Sequence, residues 1–491
     1  MTTEPRRWLF GDQLGPHFLD DDDQQVLIVE SRAVFARRRF HRQKAHLVLS
    51  AMRHRAAELG DRCEYVRSDT YRPALRGPLT VVHPTSHAAL RFVTSLPGVE
   101  VLPPRGFVTD IADFSRWADA RGGKRLLMED FYRDARRRFD ILMDGSEPVG
   151  GRWNFDAENR EPAPRSTVLG VSEPWWPTED AIDDEVRADL DRWEADGDVS
   201  FIGVDGPRRF AATRAESLTA LQRFIDERLD PFGPHEDAML ANDSWMSHSL
   251  LSAPQNLGLL DPLELVHAAE QAYRDGQVRL PSAEGFIRQV MGWRDFVWHL
   301  YWYEKPEYRD RNALGAGTSI PRWFAELDAD HVDARCLSVV LAGVRDHAWV
   351  HHIPRLMVLG NYAMQRGWQP QEVVDWFHRA FIDGYDWVMT PNIVGMSQYA
   401  DGGIMATKPY AAGGAYIDRM SDFCKPCPYN PKVRVGETAC PYTAGYWAFL
   451  HRNRDQLAGN HRMAQPLMGL RRLKDLEPLL EQEAARGAGA P

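Results

Sequence analysis

The sequence predicts two domains of different class in one chain: an α/β domain with a doubly wound parallel sheet over residues 1–130, and a large all-α domain over residues 211–480. Short apolar runs alternate with helical patterns in the first part, as parallel β-α units require. After Arg214, apolar residues recur at three- and four-residue steps almost throughout, the period of amphipathic helices. A chain of 491 residues is also too long for one ordinary core, at roughly 100–200 residues per domain.

Taken in order, WLFGDQL and QQVLIVES read as strands, FHRQKAHLVLSAMRHRAAELG as a helix and CEYVRS as a third strand. After a proline-rich turn, TVVHP, SHAALRFVTSLP and VEVLPP continue the alternation. Residues 131–210 are rich in Gly, Pro, Asp and Trp and read as an inter-domain linker. Within it, residues 178–198 (TEDAIDDEVRADLDRWEADGD) are acidic, which is most simply a solvated helix face. AESLTALQRFIDERLDPF, DPLELVHAAEQAYRDG, AEGFIRQVMGWRDFVWHLYWYEK, VDARCLSVVLAGVRDHAW and QPQEVVDWFHRAFIDG read as helices, with DP and QP marking two starts. Residues 481–491, ending in AARGAGAP, are expected to form a disordered tail.

An apolar share of 44%, a charged share of 26% and a mean hydropathy of -0.45 belong to a globular chain in water. No run approaches the roughly 18 apolar residues of a membrane span, and MTTEPRRWLFGDQL lacks a signal-peptide pattern, so a cytoplasmic address and no membrane partner are expected. The net charge of -11 disfavours a generic nucleic-acid binder, but the basic residues are segregated. Residues 451–474 hold six Arg or Lys against one Asp, and residues 35–44 read FARRRFHRQK. Either run serves as a solubilising surface or as a contact for phosphates.

Five cysteines in such a compartment are thiols. Cys424 and Cys427 form a Cys-x-x-Cys pair in CKPCPYN, and Cys440 and Cys336 complete a four-sulfur set. Proline follows Cys427 and Cys440 and stiffens the loop. The spacing signals a metal but leaves zinc and iron-sulfur open, while Cys63 reads as a small buried hydrophobe. The 16 Trp are mostly core filling in a helical domain, though they are also the residues an electron relay would use. His351 and His352 read either as core histidines or as imidazoles able to donate a proton near neutral pH.

Several blocks together resemble the iron-sulfur bacterial cryptochromes and photolyases, the prokaryotic (6-4) photolyases. They are GDQL at Gly11 to Leu14, QKAHLVLSAMRH, MDGSEPVGGRWNFDAENR, HSLLS at His248 to Ser252, GFIRQVMGWRDFV, HHIPRLMVLGN, PNIVGMSQYADGG and CKPCPYN. The resemblance selects a 4Fe-4S cluster on Cys336, Cys424, Cys427 and Cys440, and implies FAD in the helical domain. It places the flavin diphosphate at the turn His248, Ser249, Leu250, Leu251, Ser252, whose hydroxyls and N-H groups suit phosphate oxygens. By the same resemblance Gln289, Trp293, Arg294, His352, Leu356, Asn361, Asp383, Tyr385, Asp386 and Asn392 line the flavin pocket. A 6,7-dimethyl-8-ribityllumazine antenna is implied in the sheet domain, near Asp12, Gln13 and Glu30 at strand carboxyl ends.

The function implied is light-driven repair of pyrimidine (6-4) photoproducts in UV-damaged DNA. The lesion would be flipped out of the stack, His351 and His352 would supply a proton, and Trp376 would relay electrons to the flavin. Two positions depart from the family pattern. Met389 stands where relatives carry a carboxylate in WVE, and Asp328 stands where they tend to carry a Trp. These departures keep two rival readings in view, a blue-light receptor acting through a protein partner and a photolyase-fold enzyme turned to other chemistry.

Overall fold

The computed structural model describes residues 4–123 and 125–491. Five parallel strands, β1 (Arg6–Leu9), β2 (Val26–Ser31), β3 (Cys63–Ser68), β4 (Leu79–Val82) and β5 (Val99–Leu102), form a sheet in the order β3-β2-β1-β4-β5. The central runs are apolar because helices cover both faces: Leu9, Val26, Ile28 and Val82 pack with helix Arg42–Leu59, while Trp8, Leu27, Val29 and Val81 pack with helix His87–Thr94. The order reverses between β1 and β4, the switch point at which doubly wound sheets bind ligands.

The expected linker is organised structure that belongs to its neighbours. Phe131, Tyr132 and Ala135 of helix Met128–Phe139 enter the core of the helical domain beside Phe296 and Trp298. Helix Ala181–Ala195 instead docks on the sheet domain through Val186, Leu190 and Trp193. Its acidic run is therefore not only a solvated face. Asp183 is sealed against Arg208, with N···O 2.9 Å, and Asp189 against Arg53 at 2.6 Å. Alternating charge hid these pairs, because the arginines that neutralise the two carboxylates are remote in sequence.

The basic run 35–44 is divided: Arg37, Arg38 and Arg39 are exposed, whereas His41, Arg42, Gln43 and Lys44 turn inward. Arg42 pairs with Asp191 and Glu194, Arg39 with Glu326, and Lys44 is buried beneath the helical domain. Cys63, on β3, is half-buried, and burial pushes its thiol up to about 11. The expected disordered tail is a correction too. Helix Leu476–Arg486 ties to the core through the Arg366–Glu483 ion pair at 2.5 Å. Beyond it, Ala334 N–H donates to the Pro491 carbonyl at 2.9 Å, and Trp323 Nε1 to the Ala488 carbonyl at 2.9 Å. A small-residue end can dock through backbone groups alone, which composition does not disclose.

Candidate active site and cysteine centre

Three π-helical stretches interrupt the helices of the C-terminal domain: Arg288–Arg294, Pro354–Gly360 and Asn392–Ser397. Such turns misalign the helix ladder and concentrate at functional sites. They carry Gln289, Trp293, Arg294, Leu356 and Asn392. Gly360 lets the second and third meet, since any Cβ there would collide with Ser397 Oγ.

The phosphate-type turn is held from behind. Arg228, fully buried, donates to the carbonyls of Ser172 and Met246 and, at 3.3 Å, to that of His248. Leu250 sits at φ 57, a left-handed conformation that turns the backbone sharply. Ser249 Oγ accepts from Leu251 N–H at 3.3 Å. Ser252 Oγ donates to Asp383 at 2.6 Å, and Asn256 Nδ2 donates to the Asp383 carbonyl at 3.0 Å. Arg355 closes the cluster as a fork, donating to the two Asp383 oxygens at 2.8 and 3.1 Å while lying 4.2 Å over the Phe381 ring. Burial raises the Asp383 carboxyl, but Arg355 and then Ser252 outweigh it and hold the group below its ordinary range. Lys44 reaches in from the sheet domain, donating to the carbonyls of His378 (2.7 Å) and Gly384 and lying 5.2 Å over Tyr385. Burial pushes its ammonium down to about 7 against the pull of Asp383.

A second cluster gathers imidazoles. His248 stacks on His351 with ring centroids 4.2 Å apart, and each lies 5.8 Å from His352. One ring nitrogen from each lies within 4.8 Å of the others. Burial, then the neighbouring cationic groups, holds His248 and His351 well below the ordinary imidazole value, so both are neutral. His352 is exposed and faces Asp237, with Nε2 3.4 Å from a carboxylate oxygen. Gln289 adjoins this cluster by donating to the buried Glu236.

The remaining residues expected to line the flavin pocket have partners within the protein. Arg294 donates to the Gly106 carbonyl at 2.9 Å and lies 4.4 Å over Phe107, and burial lowers its guanidinium to about 10. Asn361 pins the Ala412 backbone, with bonds of 2.8 and 3.2 Å. Asp386 accepts from Tyr301 at 2.7 Å and Arg309 at 2.8 Å, and Asn392 donates to Val388 at 2.8 Å. Trp293 packs edge-on to Phe296. Buried nitrogens without a protein partner remain at Arg294 Nε and His351 Nδ1. Orphaned buried nitrogens of this kind suit a cofactor rich in hydrogen-bonding groups, such as a flavin dinucleotide. Met389 is buried, whereas Asp328 lies at the surface, 2.7 Å from His331.

Trp376 is buried, donates to the Phe324 carbonyl at 3.2 Å and has Phe324 at 4.5 Å and Phe381 at 5.9 Å. Aromatic contacts run on from Phe324 to Trp368 (4.6 Å), Tyr362 (5.6 Å) and Tyr442 (5.5 Å). Tyr442 belongs to helix Pro441–Arg452, which Cys440 caps, and Cys336 lies in the first turn of helix Arg335–His347. Helix N-termini favour thiolates. Cys427 N–H bonds the Cys424 carbonyl at 3.2 Å, closing the Cys-x-x-Cys turn. Burial raises the Cys336 thiol well above its ordinary value, and the proximity of Cys440, Cys424 and Cys427 adds to this. Burial, then Asp418 and the other cysteines, pushes Cys424 up to about 12. A cationic centre relieves that mutual repulsion, so the donor set fits a metal or metal cluster. Gly414 makes room for it, since a Cβ there would stand 2.8 Å from Cys440 Sγ.

At the sheet, Gln13 donates to the Val82 carbonyl at 3.0 Å, and Asp12 accepts from Thr85, beside the switch point between β1 and β4. Burial raises the Asp12 carboxyl, and Thr85 only partly offsets this. Glu30, at the end of β2, is engaged by Arg53 (2.9 and 3.0 Å) and Tyr65.

Comparison with known proteins identifies the family. The model of deoxyribodipyrimidine photo-lyase-related proteins matches residues 7–198. A (6-4) photolyase of Agrobacterium fabrum is 39% identical over 487 residues, covering 93% of this chain and 94% of that protein. The chain belongs to the (6-4) photolyase family. The fold agrees with a bacterial class III photolyase of Agrobacterium tumefaciens, at a TM-score of 0.56 and 14% identity over 99% of this chain and 97% of that one. Uncharacterized protein R855 of Acanthamoeba polyphaga mimivirus is 33% identical over 103 residues, 21% of this chain and 76% of that protein. Membership in the photolyase family implies bound FAD. The expected two-domain fold is the family's fold, and no helix among the described residues is long and apolar enough to cross a membrane.

Sequence reading missed Arg355, Lys44, Asn256, Glu236 and Asp237. Arg355 is the residue before Leu356 in a block already singled out, so proximity was a usable signal. Glu236 and Asp237 lie in the aperiodic PFGPHEDAML, which carries none.

Proposed function

We propose that the protein repairs pyrimidine (6-4) photoproducts in UV-damaged DNA under light, with FAD and a 4Fe-4S cluster bound. The observation that carries this reading is the His248–His351–His352 cluster facing Asp237, within a chain akin to a (6-4) photolyase over nearly its whole length. Bound FAD supplies the light-driven electron that enters and leaves the lesion. The serine turn, Asp383 with Arg355, and Tyr385 hold the cofactor, with Gln289 and His352 on the lesion side. His352 holds and donates the proton that bond breaking requires, and Asp237 orients its ring. Neutral His351 and His248 keep further positive charge out of the pocket and stack to fix His352. Trp376 and the aromatic chain to Tyr442 give electrons a route from the protein side.

Cys336, Cys424, Cys427 and Cys440 hold the cluster, and a cytoplasmic setting keeps unliganded thiols reduced. A ribityl lumazine fits the switch point at Asp12 and Gln13 better than it fits Glu30, whose oxygens are already engaged. Exposed Arg462, Arg471, Arg472 and Lys474 contact phosphates of the damaged strand, whereas Arg452 is turned inward onto the carbonyls of Met364 and Gln365 at 3.1 Å. The test uses reduced, illuminated protein and an oligonucleotide with one (6-4) photoproduct, with chromatography for the restored pyrimidines. His352→Ala should lower repair by about 10²–10⁴-fold. Failure of the wild-type protein to restore bases at any salt or reduction state would overturn the proposal. Photoreduction that altered affinity for a protein partner without repair would establish the receptor reading instead.

A further inference from the structure

Glu236 lies beside the imidazole cluster, and the proposed chemistry has no use for it. Its side chain is buried, at 4% exposure, in the loop between Phe232 and Ala238. The same loop places Asp237 against His352. Four neighbours define its surroundings. Gln289 donates its amide N–H to Glu236 Oε1. Asn159 lies against Gly285, where an added Cβ would meet Asn159 Nδ2 at 2.5 Å and Glu236 Oε2 at 3.3 Å, so the glycine makes room for both polar groups. Asn159 Oδ1 is buried and receives no donor. Arg288, the nearest guanidinium, is directed to Asp156 at 3.4 Å and Glu284 at 3.3 Å.

Charge balance follows from these contacts. Glu236, Glu284 and Asp156 surround Arg288, His352 lies 3.4 Å from Asp237, and Arg160 is engaged by Asp156 and, at 3.9 Å, by Asp237; among the described residues no Arg, Lys or His forms an ion pair with Glu236. A buried carboxylate without a cation of its own is costly, and protonation removes the cost. Burial first, with Asp237 and Asp156 reinforcing it, raises Glu236 from 4.5 to about 7 against the opposing pull of Arg288 and His352.

Resting on the repair reading above, we propose that Glu236 is a positioning residue of the site: held as the neutral acid, it fixes the amide of Gln289 and leaves Asp237 as the carboxylate that governs the proton on His352. With Gln289 Nε2 engaged by Glu236, its amide oxygen is presented as an acceptor on the opposite side. If Glu236 ionises, a second negative charge faces His352 and strengthens that imidazole's hold on its proton, so His352 gives the proton up less readily. Repair should therefore fall more steeply as pH rises through neutrality than loss of the His352 proton alone would make it, and the added steepness should belong to Glu236.

The experiment compares the FAD-loaded wild-type protein with Glu236→Gln, which mimics the neutral acid and keeps the amide contact. Infrared difference spectra in the dark should show a carboxylic acid carbonyl band at pH 6 that is gone in the wild type by pH 9 and absent from Glu236→Gln at both. Histidine nuclear magnetic resonance should show His352 titrating with a second inflection near neutrality in the wild type and a single one in Glu236→Gln. The repair yield of Glu236→Gln should fall less steeply above neutral pH than that of the wild type. The inference is overturned if the band is missing at pH 6, or if the second inflection of His352 survives in Glu236→Gln. Both spectroscopic readouts need no turnover, so failure of the repair reading would leave them intact and distinguishable.

Discussion

Replacing Arg355 with Met strands Asp383, and the size of the effect can be worked from the contacts. Asp383 is 5% exposed and loses two charge-assisted bonds of 2.8 and 3.1 Å, keeping only Ser252 at 2.6 Å and the nearby Lys44. Breaking one side of a buried pair costs about 3–5 kcal/mol, and the two surviving partners favour the lower end, about 3 kcal/mol. At about 2–4 °C per kcal/mol for a domain of this size, the thermal midpoint should fall by roughly 6–12 °C.

The loss should depend on pH. In the wild type the Asp383 carboxyl is depressed, so its contribution is present above the ordinary carboxylate value and lost as pH falls through the depressed one. Without Arg355, burial dominates and raises that carboxyl, so Arg355→Met should be least harmful near pH 4 and most harmful at pH 8. A thermal double-mutant cycle with Asp383→Asn checks the reasoning. The two changes should couple by about 1.5 kcal/mol or more, with the double variant losing less than the sum. Additivity within about 0.5 kcal/mol would refute the clamp.

Three further outcomes follow from the same contacts. Gly414→Ala drives a methyl group to 2.8 Å from Cys440 Sγ and 3.0 Å from Pro431 Cα, so iron content and visible absorption should fall and stability should drop by about 1–3 kcal/mol; unchanged iron would remove Gly414 from the cradle. Glu236 is raised from 4.5 to about 7, so the wild-type fold binds a proton that the unfolded chain has released, and stability declines as pH rises across that window by up to about 3 kcal/mol. Thermal midpoints of Glu236→Gln should lack this decline, and parallel curves between pH 5 and 8 would contradict it. Finally, Arg471→Gln with Arg472→Gln should weaken DNA binding and reduce the slope of log affinity against log salt by about 2, measured by fluorescence anisotropy; an unchanged slope would place the DNA elsewhere.

Elements with a strong local period were legible from the chain alone. The β-α alternation, the helices after Arg214 and the four-cysteine spacing are written in neighbouring residues, where propensity and turn chemistry act. The last stretch was misjudged because Pro491 and Ala488 dock through their carbonyls, which any residue possesses. The acidic helix was misjudged because Arg208 and Arg53, which make Asp183 and Asp189 buryable, come from other elements.

The sequence by itself determined the two domain classes, the cysteine set and, through its motif blocks, the lineage. The tertiary structure decided which of the named polar residues act together. Ser252, Asp383 and Arg355 form one clamp with Lys44 from the other domain, Asp237 and Glu236 join the histidines, and Asn361 and Glu30 are committed elsewhere. The physical reason is range. Helical and strand periods are set over a few residues, whereas the charge state of a carboxylate depends on burial and on partners over a hundred positions away, as Ser252 is from Asp383.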